Sequence, residues 1–288
     1  MDLPEQSIAT VPRFLGEPGS RHFILQFVPQ APRAHILFLP PFAEEMNRCR
    51  ALVAQQARNL AAAGYCVTLL DFCGTGDSEG SLDAASMELW RGNIDLTIET
   101  LRDEADLPVV LWGLRLGALT ALDVAARPGA EFAHLMLWHP VSSGKRYIAQ
   151  LLRQRVAAVA NEGLPPETTA EIRQRLAQGE VLEVSGYHVG EPLIADIEKM
   201  SVEAAELRCS GSVFWLENVA GPGDSLPTAS DKAAARLQEA GNRLEVHTFT
   251  APPIWQLHKR DEAPALLELT CSLLAGDASG TGDAPSLQ

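Results

Sequence analysis

The sequence predicts an α/β protein with a mostly parallel eight-stranded sheet, helices on both faces and a helical cap insertion. From residue 34 onward, short apolar runs typical of buried strands alternate with segments of helical periodicity, and this alternation favours a parallel sheet. Between residues 142 and 207 we find only helical patterns, which indicate an insertion. Such an insertion would cover the carboxyl edge of the sheet, where these folds bind ligands.

The composition is typical of a globular protein and excludes several classes. The chain has 288 residues, of which 46% are apolar and 21% charged, and a net charge of -14 disfavours binding to nucleic acid. There is no apolar run long enough to cross a membrane and no signal-peptide pattern, so we expect a cytoplasmic protein. Five scattered cysteines lack metal-ligand spacing, so we expect reduced thiols and neither a metal nor a cofactor. The sequence leaves open whether the protein binds a protein partner.

The order of elements also predicts how the chain is divided. The predicted strands cover residues 14–15, 21–28, 34–39, 65–70, 109–112, 134–138, 212–216 and 244–249, and the predicted helices cover residues 48–63, 86–104, 116–126, 146–161, 167–178, 230–240 and 261–274. We therefore assign residues 1–141 and 208–275 to the core and residues 142–207 to the cap. Residues 276–288 are small and polar, and we expect them to form a disordered tail.

The segment VVLWGLRLGALTALDVAA, at residues 109–126, indicates where a site lies. A buried strand runs into a tight turn bracketed by Gly113 and Gly117, and a helix follows. A strand, a G-x-R-x-G turn and a helix have the layout of a nucleophile elbow, G-x-S-x-G. In that turn the glycines allow close backbone approach while one side chain is held at the top of the sheet. Here that side chain is Arg115 instead of serine.

The chain resembles the α/β-hydrolase superfamily over about residues 10–275. Besides the elbow, the loop DFCGTGDSEG at residues 71–80 is similar to the D-x-x-G-x-G-x-S-x-G loop of that family. More narrowly, PPFAEEMNRCR and LWGLRLGALTALD resemble the second hydrolase associated with exosortase A systems, found in bacteria that sort proteins and make exopolysaccharide. The resemblance implies that the substrate of an active enzyme is an acyl ester or thioester.

The resemblance also implies which residues form a catalytic site. Arg115 takes the place of the nucleophile, Asp224 in a Gly-Pro-Gly-Asp turn takes the place of the acid, and His258 takes the place of the histidine. The backbone amides of Phe42 and Leu116 would form the oxyanion hole.

Each of the polar candidates has a second interpretation. Turn chemistry alone accounts for Asp224, and the lysine and arginine that follow His258 are typical of an exposed segment. His139, at the end of the sixth predicted strand, competes with His258 as the pocket histidine, or is a hydrogen-bonded residue at a strand end. Glu44 and Glu45 either lie in the pocket or are acids in the first turn of a helix, where the helix dipole favours them.

Arg115 has two interpretations as well. Its guanidinium either binds an anion in bidentate fashion or fills the vacancy of an inactive elbow. It cannot be an acyl nucleophile, because arginine stays protonated. The flanking residues are apolar, so the charge should be partly desolvated and should need a partner. The loop after the third strand borders the elbow, and we predict an ion pair between Arg115 and Glu45 rather than Glu44.

Two functions of different classes stay open. The first is hydrolysis of an acyl ester or thioester, which the retained Asp224 and His258 favour. The second is a catalytically inactive binding or partner protein, a pseudoenzyme that uses Arg115 to bind an anion, which the missing serine favours. Ser142 and Ser143 are poor substitutes as nucleophiles, because neither lies on a glycine-flanked turn between a strand and a helix.

Overall fold

The computed structural model describes residues 7–202, 207–256 and 262–277, and its centre is one eight-stranded sheet. Its strands, numbered in chain order, are β1 (Ala9–Leu15), β2 (His22–Val28), β3 (Ala34–Leu39), β4 (Tyr65–Asp71), β5 (Val109–Leu114), β6 (His134–Trp138), β9 (Val213–Asn218) and β10 (Leu244–Phe249). Their order in the sheet is β1-β2-β4-β3-β5-β6-β9-β10. β2 pairs antiparallel with β1 and β4, and the other neighbours are parallel. The predicted sheet is confirmed.

Helices cover both faces of the sheet. They are α1 (Glu44–Ala62), α2 (Met87–Glu104), α3 (Leu116–Ala125), α4 (Gly144–Asn161), α5 (Thr169–Ala177), α6 (Glu191–Lys199), α7 (Thr228–Glu239) and α8 (Pro264–Asp277). One apolar layer contains side chains of α2, α3 and α7, and continues into α4, α5 and α6. The other layer contains side chains of α1 and α8. Every side chain of β3 and β5 is buried, as expected for central strands of a parallel sheet.

Local sequence accounts for the ends of several elements. The Ser86 hydroxyl caps α2 by accepting a hydrogen bond from the Leu89 backbone N–H at 3.1 Å. After α1 the chain passes through Gly64, whose φ of 90° lies in the left-handed region that glycine adopts without strain. These signals explain why the predicted boundaries of α2 and α1 at these ends lie within one residue of the observed ones.

The cap differs from its prediction. Besides α4, α5 and α6, it contains an antiparallel hairpin of β7 (Leu182–Val184) and β8 (Tyr187–Val189). The expectation of helical patterns alone between residues 142 and 207 is therefore wrong over this hairpin. Strands of three residues are too short to establish an alternating pattern in the sequence.

The C-terminal helix also differs from its prediction. α8 begins at Pro264 and ends at Asp277, so it continues two residues into the predicted tail. The rest of that tail, residues 278–288, lies outside the described residues. Within the described ranges, no helix is both long and apolar enough to span a membrane.

Candidate functional site

The turn between β5 and α3 has the backbone of a nucleophile elbow. Arg115 is its central residue, with φ of 56° and ψ of -115°, a conformation that residues with a side chain rarely adopt. The Arg115 N–H donates to the Trp138 carbonyl at 3.0 Å, and the Arg115 carbonyl accepts from the Val141 N–H at 3.2 Å. Neighbouring segments thus hold the strained residue on both sides.

Two glycines make this turn sterically feasible. A Cβ on Gly117 would overlap the Leu39 carbonyl oxygen and lie 2.6 Å from that of Pro40. A Cβ on Gly113 would lie 2.5 Å from the Ala118 Cα. Both neighbours are backbone atoms that cannot rotate away, so the elbow requires glycine at each position.

Arg115 forms the predicted ion pair with Glu45. Its Nε and Nη2 donate to Glu45 Oε1 at 3.3 and 3.2 Å. The two side chains are only 12% and 19% exposed, so water screens the pair less than it would at the surface. The ion pair is confirmed, and it connects the elbow to the first turn of α1.

Tyr147 of α4 connects the cap to the same carboxylate. Its hydroxyl donates to Glu45 Oε2 at 3.0 Å, and its ring centroid lies 5.6 Å from the Arg115 Cζ. Burial, and then the Glu45 carboxylate, raise the pKa of Tyr147 well above its ordinary value. The hydroxyl therefore remains a hydrogen-bond donor, and Glu45 has a partner on each carboxylate oxygen.

Glu44 has a different partner. It pairs with Arg48 one turn further along α1, at 2.9 Å, and 39% of its side chain is exposed. Glu44 and Glu45 both line a small cavity of about 40 Å³ beside Arg115. Water needs at least 10–15 Å³, so roughly one to three water molecules fit. An organic ligand would require the cap to move away from the elbow.

The backbone N–H groups of Phe42 and Leu116 have unused donor capacity. Neither donates a backbone hydrogen bond to an acceptor in the described part of the chain. Phe42 lines the cavity, and Leu116 is the first residue of α3, where the helix dipole is positive. The two groups lie on the loops that follow β3 and β5, which are adjacent parallel strands.

His139 follows β6 and contacts a buried carboxylate. Its Nδ1 lies 2.9 Å from Glu217 Oε1 and 3.2 Å from the Asn218 backbone nitrogen. One nitrogen cannot donate to the first and accept from the second at once, and a carboxylate is the stronger partner. We therefore assign the proton to Nδ1, which leaves Nε2 as the basic nitrogen. The other oxygen of Glu217 accepts from Trp215 Nε1 at 2.8 Å.

Trp255 lies against both His139 and Arg115. The His139 ring stacks on the indole with centroids 4.2 Å apart and an interplanar angle of 17°. The Arg115 Cζ lies 4.9 Å from the centroid of the same indole. The histidine and the guanidinium thus share an aromatic neighbour, and the face of the indole attracts the guanidinium.

Of the other predicted site residues, Asp224 makes no side-chain contact with this cluster in the described part of the chain, and His258 is not described. Asp224 is exposed in the turn after β9, where its backbone N–H donates to the Gly221 carbonyl at 3.1 Å. Its side chain forms no ion pair or hydrogen bond with another described residue, so turn chemistry accounts for it. His258 lies outside the described residues.

Sequence reasoning missed three residues of this cluster, namely Tyr147, Glu217 and Trp255. Only Glu217 has a usable signal, because it is an acid within the otherwise apolar strand sequence VFWLEN, and a fully buried glutamate is rare unless it is paired. Tyr147 is an ordinary position on an amphipathic helix, and Trp255 lies in an irregular loop.

The sheet order, the elbow and the helices on both faces define an α/β-hydrolase-fold protein. Sequence comparison makes the assignment more specific. The chain belongs to the family described as Serine aminopeptidase, S33, which matches residues 30–187.

Similarity to individual proteins is more distant. A segment of 94 residues is 30% identical to the human and Pongo abelii proteins named palmitoyl-protein thioesterase ABHD10, mitochondrial. It covers 32% of this chain and 29% of those relatives, so the chain matches under a third of their length.

Solved structures show the same fold. A lipase in its open form has a TM-score of 0.64 at 17% identity and covers 94% of this chain and 99% of its own. The mouse alpha/beta hydrolase domain-containing protein 10 has a TM-score of 0.54 at 15% identity, covering 94% and 100%.

Proposed function

We propose that the protein binds an acyl ester or thioester at the elbow without forming a covalent acyl-enzyme, as a non-hydrolytic member of its family. One observation carries the proposal, namely that Arg115 occupies the position of the nucleophile and is paired with Glu45. A guanidinium remains protonated and offers no lone pair to attack a carbonyl. It is a good hydrogen-bond donor to an oxygen brought to the elbow.

The charge of the pair favours a neutral acyl group over an anion. Glu45 already neutralises Arg115, so a ligand with a full negative charge would face the Glu45 carboxylate as well. Arg115 Nη1 has no acceptor among the described residues and suits a carbonyl oxygen. The N–H groups of Phe42 and Leu116 would be two further donors to it. The name of the matched relatives, palmitoyl-protein thioesterase, supports an acyl thioester.

We also propose that the protein is cytoplasmic and acts at an exosortase A and exopolysaccharide locus. The two segments that carry this narrower resemblance are residues 40–50 and 111–123. Glu45 lies in the first segment and Arg115 in the second, so the ion pair joins the two segments. A protein partner from the same locus is compatible with this role.

Binding of octanoyl-N-acetylcysteamine, a short acyl thioester, tests the proposal. Titration calorimetry should show binding, and a thiol-reactive dye should show no thiol release above that in buffer. Arg115→Met removes the donors to the carbonyl and should weaken binding about tenfold, the equivalent of one charged hydrogen bond. Glu45→Gln should retain thioester binding and increase affinity for octanoate about tenfold, because the guanidinium then lacks its counter-charge.

Glu44→Gln is the matched control, because Glu44 pairs with Arg48 and not with Arg115. Glu44→Gln should change neither the affinity for the thioester nor the affinity for octanoate. Unchanged thioester affinity in folded Arg115→Met would refute binding at the elbow. An increase in octanoate affinity in Glu44→Gln equal to that in Glu45→Gln would refute the role of the ion pair.

The contact between His139 and Glu217 favours a second candidate, hydrolysis of the same acyl bond by water. His139 Nε2 would take a proton from water while the water oxygen attacks the acyl carbon. Arg115 would donate to the resulting oxyanion, and its collapse would break the C–S or C–O bond as the leaving group takes the proton back from His139. Thiol release in molar excess over the protein, abolished by His139→Ala, would establish this candidate instead.

A further inference from the structure

A second cavity, of about 300 Å³, lies between α1 and the strands β2, β3 and β4. Its walls are mostly apolar and include Phe23, Leu25, Phe38, Met46, Val53 and Leu69. It shares no lining residue with the small cavity beside Arg115. Its volume is at the lower end of the range of about 300–1,000 Å³ for small-molecule sites, which are also lined mostly by apolar side chains.

A buried carboxylate forms part of the wall of this cavity. Asp71 ends β4, and only 9% of its side chain is exposed. Its Oδ2 accepts from the Asp77 backbone N–H at 3.0 Å and from Arg50 Nη2. Its Oδ1 accepts no hydrogen bond from the described residues. A ligand that donates to Oδ1 would give this largely buried carboxylate a protein or ligand partner on each oxygen.

The loop after β4 fixes this carboxylate in position. Gly76, with φ of 54°, packs so closely that a Cβ there would overlap the Asp71 carboxylate. Gly76 belongs to the loop at residues 71–80 that resembles the family's loop, and it allows the backbone to approach Asp71 closely. With the loop against one side and Arg50 on Oδ2, the orientation of Oδ1 is set by the protein before any ligand arrives.

The charge around the cavity selects the head group of a ligand. Arg50 is the basic residue in the lining, and it contacts both Asp71 and, at 3.9 Å, Asp77. Two acids and one base leave one net negative charge. A carboxylate ligand would have to displace Asp71 from Arg50, whereas an ammonium group would complete the charge balance and donate to Oδ1.

We propose that this cavity is a binding site for a small amphipathic primary amine. Its alkyl or aryl part fills the apolar volume, and its ammonium group donates to Asp71 Oδ1. The site is independent of acyl binding at the elbow and does not require the cap to move, because no lining residue comes from the cap. Binding there would contact Met46 and Cys49 of α1, the helix that begins with Glu44 and Glu45.

Calorimetric titration of the full chain with n-octylamine, n-octanol and octanoate tests the proposal. We expect octylamine to bind, and both octanol and octanoate to bind at least tenfold more weakly than octylamine. Asp71→Asn removes the charge at nearly constant volume and should weaken octylamine binding at least tenfold, while Asp77→Asn should not, because that side chain is 63% exposed.

A second pair of variants tests the cavity itself and leaves Asp71 intact. Ala54 lines the cavity from α1, so Ala54→Phe should fill it and abolish octylamine binding. Ala51 is exposed on the same helix, and Ala51→Phe should bind octylamine like the unmodified protein. The proposal is overturned if octylamine does not bind, if Ala54→Phe binds it with unchanged affinity, or if octanoate binds more tightly than octylamine.

Discussion

Replacing Glu45 with glutamine should lower the free energy of unfolding by about 2–4 kcal/mol, since removing one partner of a partly buried ion pair leaves the other uncompensated. Arg115→Met should cost less. The Glu45 carboxylate then still accepts from the Tyr147 hydroxyl and lies in the first turn of α1, where the helix dipole favours an acid, whereas Arg115 without Glu45 has no acid partner among the described residues. The expected order of unfolding free energies at neutral pH is therefore Glu45→Gln below Arg115→Met, measured by urea titration.

The double variant shows whether the two side chains act on each other. Its unfolding free energy should fall by less than the sum of the two single losses, with a coupling energy of about 1–3 kcal/mol. Glu44→Gln should stay within about 0.5 kcal/mol of the unmodified protein, because its pair with Arg48 is more exposed. A coupling energy of zero between Arg115 and Glu45 would contradict this account of the elbow.

Gly117→Ala should destabilise the protein by about 3 kcal/mol or more, or prevent it from folding. The added Cβ would overlap the Leu39 carbonyl, and both the strand end and the start of α3 would have to shift. Gly92→Ala is the matched control, because Gly92 is exposed within α2 and a Cβ there meets nothing within 4 Å. That change should stabilise the protein by about 0.5–1 kcal/mol. Equal effects of the two substitutions in thermal unfolding would show that the elbow is not tightly packed.

Much of the fold can be predicted because its signals are local. β3, β6 and β10 match their predicted bounds. Each is a short segment typical of a strand, and turn residues or a helical pattern mark its ends. The elbow can be predicted from the sequence because Gly113 and Gly117 flank a short turn between a strand and a helix. The ion pair follows from topology, since β3 and β5 are adjacent and parallel and their following loops must meet at one edge.

The rest of the site depends on contacts between distant segments. Tyr147 reaches Glu45 across 102 positions of sequence, and nothing in the pattern of α4 shows how the cap is placed. Glu217 becomes the partner of His139 because β6 and β9 are neighbours, although β7, β8 and the cap separate them in sequence. The sequence predicts Asp224 as a site residue from the family resemblance and chain order, and neither signal shows that its turn is exposed.

The cap contributes to the chemistry that we propose. Tyr147 contacts Glu45, and the side-chain amide of Asn47 donates to the Tyr187 hydroxyl at 2.5 Å, so two contacts join the cap to the start of α1. With these contacts formed, the elbow cavity of about 40 Å³ is too small for an organic ligand. Acyl binding therefore requires the cap to separate from α1, and Glu45 is the residue that the cap and the elbow share.

Labelling with a fluorophosphonate, followed by intact-protein mass spectrometry, tests most directly the claim that the elbow forms no acyl-enzyme. Such probes form a covalent adduct with an activated serine hydroxyl, and the elbow carries a guanidinium in its place. We predict an unmodified mass after prolonged exposure to excess probe, under conditions in which a serine esterase in the same tube is fully labelled. A stoichiometric adduct on folded protein, mapped to Ser142 or Ser143 beside the elbow, would contradict the account.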